Sequence, residues 1–202
     1  RLKDQYPKNI FYFLFHEKLI RSILIGTIPI FLLGGTIKLF FPYFFDDILR
    51  SNLSIAIVSF LMAFYMYLAD SSKKGFITLK NYKYINSFFI GLSQSLAIFP
   101  GVSRSGITLS TAMVTGWERR DAAKFSFLLG IPAISLAAFV EFISSFNEIF
   151  SISFFPLILG LTTTFASSLL AIDFLLKYLS SNGLKLFIVY RFIFGFVILL
   201  NL

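Results

Sequence analysis

No cysteine occurs anywhere in the 202 residues, which excludes disulfides, thiolate metal sites and a thiol nucleophile. Histidine is nearly as scarce: the single copy, His16, rules out a relay that needs two imidazoles, as in the membrane phosphatases built on an acidic-histidine pair. Charge is thin as well, at 14% Asp, Glu, Lys and Arg, whereas a soluble domain carries about a quarter. The 10 acidic residues form no cluster along the chain that would hold a metal ion. Nor does a basic, apolar and small-residue signal peptide precede the first apolar stretch, and with Arg1 as first residue the chain reads as starting part-way through a protein.

What is present is apolar side chain. Hydrophobic residues make up 57% of the chain and the mean hydropathy is +0.82, the composition of an integral membrane protein. The net charge of +8 is that of a chain obeying the positive-inside rule, and nucleic acid is not implied. The fold class expected is an all-α polytopic membrane protein, a single bundle over residues 1–202. Its spans fall at about 19–41, 53–69, 124–142, 155–176 and 186–202. Residues 1–20 read as a basic membrane-surface segment in which His16, beside Glu17, is a solvated interface residue more readily than a general base.

One stretch does not fit a simple span. Residues 84–117 are too long for one crossing and too short for two plus a loop, and the segments at both ends are basic: Lys73, Lys74, Lys80 and Lys83 before it, Arg119, Arg120 and Lys124 after it. Both ends therefore face the cytoplasm, and the stretch is expected to be a re-entrant helical hairpin. Its tip is Pro100-Gly101-Val102-Ser103-Arg104-Ser105-Gly106, placed near mid-membrane. Opposite loops carry Asp46, Asp47 and Glu148.

The tip has the residue types an anion site needs. An ionised arginine at membrane depth is costly and usually faces a cavity, and broken backbone is tolerated there only when buried or lining one. Gly101 and Gly106 allow a tight turn and close approach to a ligand. A helix starting near Gly106 points unpaired amides and a positive dipole end into the loop. Arg104 offers a planar fork for two phosphate oxygens, and Ser103, Ser105 and Thr108 offer hydroxyls. The bland alternative has the serines only capping a helix and Arg104 reaching a headgroup. Gln94 either faces the same cavity or bridges two helices. Arg191 either supports the site from behind or reaches the interface, and Glu141 and Asp173 read as solvated residues near span ends.

The run from Gln94 through Pro100-Gly101-Val102-Ser103-Arg104-Ser105-Gly106-Ile107-Thr108, then Gly116-Trp117-Glu118-Arg119 and 122–132 (AAKFSFLLGIP), resembles undecaprenyl-diphosphate phosphatase of the bacitracin-resistance type. Tyr190-Arg191-Phe192 is similar to the closing span of that family. The resemblance implies removal of the terminal phosphate of undecaprenyl diphosphate in the bacterial plasma membrane, which recycles the lipid carrier for cell-wall synthesis and confers bacitracin resistance. It implies two inverted repeats, each with a hairpin, whose tips meet at the site. It also implies a divalent cation, Mg or Ca, held by a glutamate-rich helix and a Ser-Ser-x-Gly-His turn of the first hairpin, a run this sequence does not contain. Arg104, Ser103 and Ser105 are then the catalytic candidates, with Gln94, Gly101, Gly106 and Thr108 binding substrate. The partners are a polyprenyl diphosphate lipid and the membrane, with no nucleic acid; a homodimer is one option for the assembly. Two other classes share the broken-helix logic, a lipid or anion transporter or flippase and a structural membrane subunit.

Overall fold

A computed structural model describes residues 17–40, 49–72, 75–146 and 154–200; His16, Asp46, Asp47 and Glu148 lie outside them. Seven α-helices are described: α1 (Lys18–Phe40), α2 (Asn52–Asp70), α3 (Tyr84–Gln94), α4 (Arg104–Val114), α5 (Arg119–Ser144), α6 (Phe154–Asn182) and α7 (Lys185–Leu199). Together they form the expected all-α polytopic bundle. α1, α2, α5 and α6 are long and apolar enough to cross a membrane, matching the first four expected spans. α7, at 15 residues, rises about 22 Å, less than the roughly 30 Å of hydrocarbon.

Residues 84–117 are a hairpin. Its first leg is α3, continued by a 3-10 turn over Ser95–Ile98, and its second leg is α4, packed against the first. The base is closed by backbone: the Ile77 amide donates to Gly116 O at 2.9 Å and the Glu118 amide to Ile77 O at 2.8 Å. Chain entering the hairpin thus lies against chain leaving it, so the hairpin starts and ends on one side of the bundle. A three-ring cluster seals that end, Tyr82 and Phe125 lying 5.2 and 5.1 Å from Trp117 between ring centres. Lys18 caps it by donating to the Tyr82 carbonyl while standing over its ring.

The tip reaches far along α2. A Cβ on Gly101 would stand 2.9 Å from the Ile55 carbonyl and 3.3 Å from Val58 Cβ, so the tip is level with the first turn or two of α2. From Asp70 at the base end to Ile55 is about 22 Å of α2's length of about 28 Å. The reason is the 3-10 turn, which at about 2 Å per residue extends the first leg beyond Gln94.

Small residues hold the hairpin against its neighbours. Gly91 and Gly26 bring α3 onto α1 so closely that a Cβ on Gly91 would fall on the Gly26 backbone. α2 packs along α7, with Phe60 beside Gly195 and its ring 5.8 Å from that of Phe192. The hydroxyls of Ser22 and Thr27 in α1 donate to the carbonyls one turn back, satisfying polar groups without a second helix. The long outer helices keep their apolar side chains exposed, α6 along its whole apolar stretch, as lipid-facing helices do.

Candidate functional site

Three features of the local sequence build the tip. Pro100 ends the first leg, and Gly101 takes φ +92°, a conformation other residues rarely adopt. Ser103 then caps α4: its Oγ accepts from the Gly106 amide at 3.2 Å and its carbonyl from the Ile107 amide at 2.8 Å. The first two amides of α4, those of Arg104 and Ser105, have no partner within the helix, so its positive end opens at the tip.

Beside that end lies a cavity of about 220 Å³ between α4, α5, α6 and α7. Its polar lining is Ser103, Ser105, Ser126, Tyr190 and Arg191; leucines 109, 175, 179 and 184 with Phe127 and Phe187 make the apolar remainder. Arg191 reaches in from α7 and its Nη1 donates to the Gly101 carbonyl at 2.9 Å, holding the left-handed turn from outside the hairpin. Among the described residues no carboxylate pairs with Arg104 or Arg191; the ion pairs there are Asp70–Arg119, Asp121–Lys124 and Asp173–Lys177. The cavity is therefore cationic and hydroxyl-bearing within an apolar wall, an arrangement that favours an anion carrying an apolar group.

The expected site residues separate into those at the cavity and those behind it. Ser103, Ser105 and Gly106 line it. Gly101 does not line it; its close contact is with α2, and it makes the turn and presents the carbonyl that Arg191 holds. Arg104 is half-buried and does not line the cavity either. Its guanidinium turns onto α5, where Nη1 donates to the Gly130 carbonyl at 2.7 Å. Thr108 is fully buried and its hydroxyl bonds the Arg104 carbonyl, at 2.9 Å, and the Ser126 hydroxyl, so it fastens α4 to α5 and does not line the cavity. Gln94 is likewise fully buried and lines no part of the cavity. It lies three residues beyond Gly91, on the α3 face that meets α1, and neither atom of its amide finds a partner among the described residues.

Arg191 is the cavity cation that the tip motif alone does not supply. Its signal was in the sequence, an arginine inside an apolar span with two readings open, and the hydrogen bond to Gly101 selects the supporting one. Ser126 and Gly130 carried a fainter signal. With Ala122 they form an i, i+4, i+8 row of small residues on α5, the pattern that admits a close neighbour. Asp173 and Glu141 behave as solvated residues, Asp173 pairing with Lys177 at 2.7 Å and Glu141 receiving the Ser145 hydroxyl.

The residues lining the cavity do not fit a divalent cation. They offer guanidinium, phenol and hydroxyl groups and no carboxylate, and among the described residues no three of His, Asp and Glu gather into a metal-binding group. Their chemistry suits the phosphate oxygens themselves.

Fold and site define an all-α, multi-pass membrane protein with a broken-helix hairpin and a cationic pocket at its tip. The chain belongs to the family described as Bacitracin resistance protein BacA, which it matches over residues 9–197. It is 76% identical over 202 residues to an undecaprenyl-diphosphatase of Prochlorococcus marinus strain MIT 9312, covering 100% of this chain and 75% of that one. The corresponding protein of strain AS9601 is 73% identical over 200 residues, 99% of this chain and 73% of its own. A more distant relative of the same name, from strain SARG, is 45% identical over 184 residues.

Proposed function

We propose that the protein hydrolyses undecaprenyl diphosphate to undecaprenyl phosphate and inorganic phosphate as a multi-pass protein of the bacterial inner membrane. That reaction returns the lipid carrier to cell-wall synthesis and confers resistance to bacitracin. The observation that carries the reading is the 76% identity, over the full length of this chain, to a protein named for that activity. The pocket at the hairpin tip is in keeping with it, since the substrate joins a diphosphate to a long apolar chain and the pocket joins the Arg191 cation and several hydroxyls to an apolar wall.

In this reading the diphosphate seats at the open end of α4. The amides of Arg104 and Ser105 and the hydroxyls of Ser103 and Ser105 donate to its oxygens. Arg104 approaches from the α5 side and Arg191 from the α7 side, each already holding a carbonyl with one nitrogen and keeping others for phosphate. Phosphoryl transfer asks the protein chiefly to neutralise charge and hold the transferring group in line, which fixed donors at a helix end do without reorganising. A divalent cation would add a Lewis acid to the phosphate oxygens. No residue lining the pocket carries a carboxylate or imidazole to be its ligand.

The test is phosphate release from undecaprenyl diphosphate by the purified protein in proteoliposomes. Arg104→Ala is expected to lower kcat/KM by about 10²- to 10³-fold, the scale of losing one preorganised donor to developing charge. Full activity in that variant removes Arg104 from the site, and lipid movement across the bilayer without phosphate release favours a transporter.

A further inference from the structure

The guanidinium of Arg104 occupies the space where a side chain on α5 would be. A Cβ built on Gly130 would stand 2.5 Å from Nη1, 2.6 Å from Nη2 and 2.7 Å from Cζ of Arg104, and these are the nearest atoms it would meet. Gly130 lies in the interior of α5, and its backbone does not take the positive φ that demands glycine. A glycine there is unfavourable for the helix relative to alanine and unnecessary for its geometry. What it provides is a seat: room for the planar group and, at 2.7 Å, a carbonyl to receive Nη1.

We infer that Gly130 is a positioning residue for the reaction, acting through Arg104; this rests on the reading that Arg104 binds the diphosphate. The seat fixes the guanidinium before the ligand arrives, so the ordering of a long flexible side chain is complete in the free protein. The next anchor along the same face is Ser126, one turn back, which donates to the Ser105 carbonyl at 3.2 Å and bonds the Thr108 hydroxyl. α5 thereby holds both the backbone at the start of α4 and the side chain that projects from it. The three nearest atoms that a methyl group at Gly130 meets all belong to the far end of a flexible side chain. Such an end gives way more cheaply than packed helices do, so the guanidinium is the group expected to move.

A double-mutant cycle on the purified full-length protein tests this, with Gly130→Ala, Arg104→Ala and the two combined. The readouts are phosphate release from undecaprenyl diphosphate and thermal unfolding. Gly130→Ala alone is expected to lower kcat/KM about a hundredfold, the scale of a 1 Å misplacement. In the Arg104→Ala background it is expected to lower it no further, because the group it displaces is gone. Unfolding follows the same cycle and stays readable where activity is small: Gly130→Ala lowers Tm only while Arg104 is present, and Tm is unchanged or raised in the combined variant. Gly160→Ala, whose Cβ meets nothing within 4 Å, is the control that keeps full activity. Full activity in Gly130→Ala, or equal losses in both backgrounds, overturns the inference. Recovery of folding in the combined variant supports it even if Gly130→Ala alone does not fold, and failure of both to fold overturns it. Full activity in Arg104→Ala removes the reading on which it rests, an outcome distinct from the others.

Discussion

Each arginine at the tip reaches a backbone carbonyl at a glycine, Arg104 at Gly130 and Arg191 at Gly101, and each bond ties the hairpin to a different helix. Removing one partner of such a pair leaves a half-buried carbonyl short of a donor, worth about 1–3 kcal/mol. Arg191→Ala is therefore expected to lower unfolding stability by that amount and to lower kcat/KM by more than the stability loss explains, since the cavity also loses its lining cation. Denaturant unfolding alongside phosphate release separates the two effects, and Arg191→Lys, which keeps charge but not the fork, should recover only part of the activity. Thr108→Val is expected to cost about 1 kcal/mol in the same unfolding experiment, because its hydroxyl serves the joint between α4 and α5. The sequence suggested Thr108 as a ligand donor because residue type and spacing put a hydroxyl one turn inside the helix. Spacing does not say which face of a short helix meets another helix, and here that face meets Ser126.

At the scale of the element, the hairpin was legible because several separate signals agreed: a Pro-Gly break, a length between one span and two, and basic residues at both ends. How far it reaches along α2 was not legible. That depends on Ser95–Ile98 winding as a 3-10 turn, a choice made by contact with α1 that the residues themselves do not announce. Legible too was the need for glycine at 101, though for the turn and not for a ligand. Gly101→Ala combines an unfavourable φ of +92° with a Cβ 2.9 Å from the Ile55 carbonyl, so a loss of about 1–3 kcal/mol is expected on thermal unfolding. Because the same turn presents the carbonyl that Arg191 holds, activity should fall with it. Ser103, Ser105 and Gly106, which the sequence singled out around the helix cap, all line the cavity. Gln94, whose polarity suggested a cavity, is fully buried and does not line this one.

The whole molecule has an internal polarity that follows from the closed hairpin base. Ile77 pairs with Trp117 there, Arg119 bonds Asp70 at 2.6 Å at the end of α2, and a Cβ on Gly183, between α6 and α7, would stand 2.9 Å from the Asp70 carboxylate. The chain thus gathers three connections at one end of the bundle, together with Lys80, Lys83, Arg120, Lys124 and Lys185, while α2 begins at the other end with Asn52. Positive residues stay on the cytoplasmic side because moving them across is opposed by the membrane potential and by insertion itself. Since these 202 residues contain no cysteine, one thiol introduced among them reports one position. Lys80→Cys and Arg120→Cys flank residues 84–117, and both are expected to be labelled by an impermeant maleimide only from the cytoplasmic face of oriented vesicles. Asn52→Cys should be labelled only from the opposite face. If the thiols at 80 and 120 react from different faces, residues 84–117 cross the bilayer, and the tip with its two arginines would no longer be a re-entrant pocket open to a lipid diphosphate.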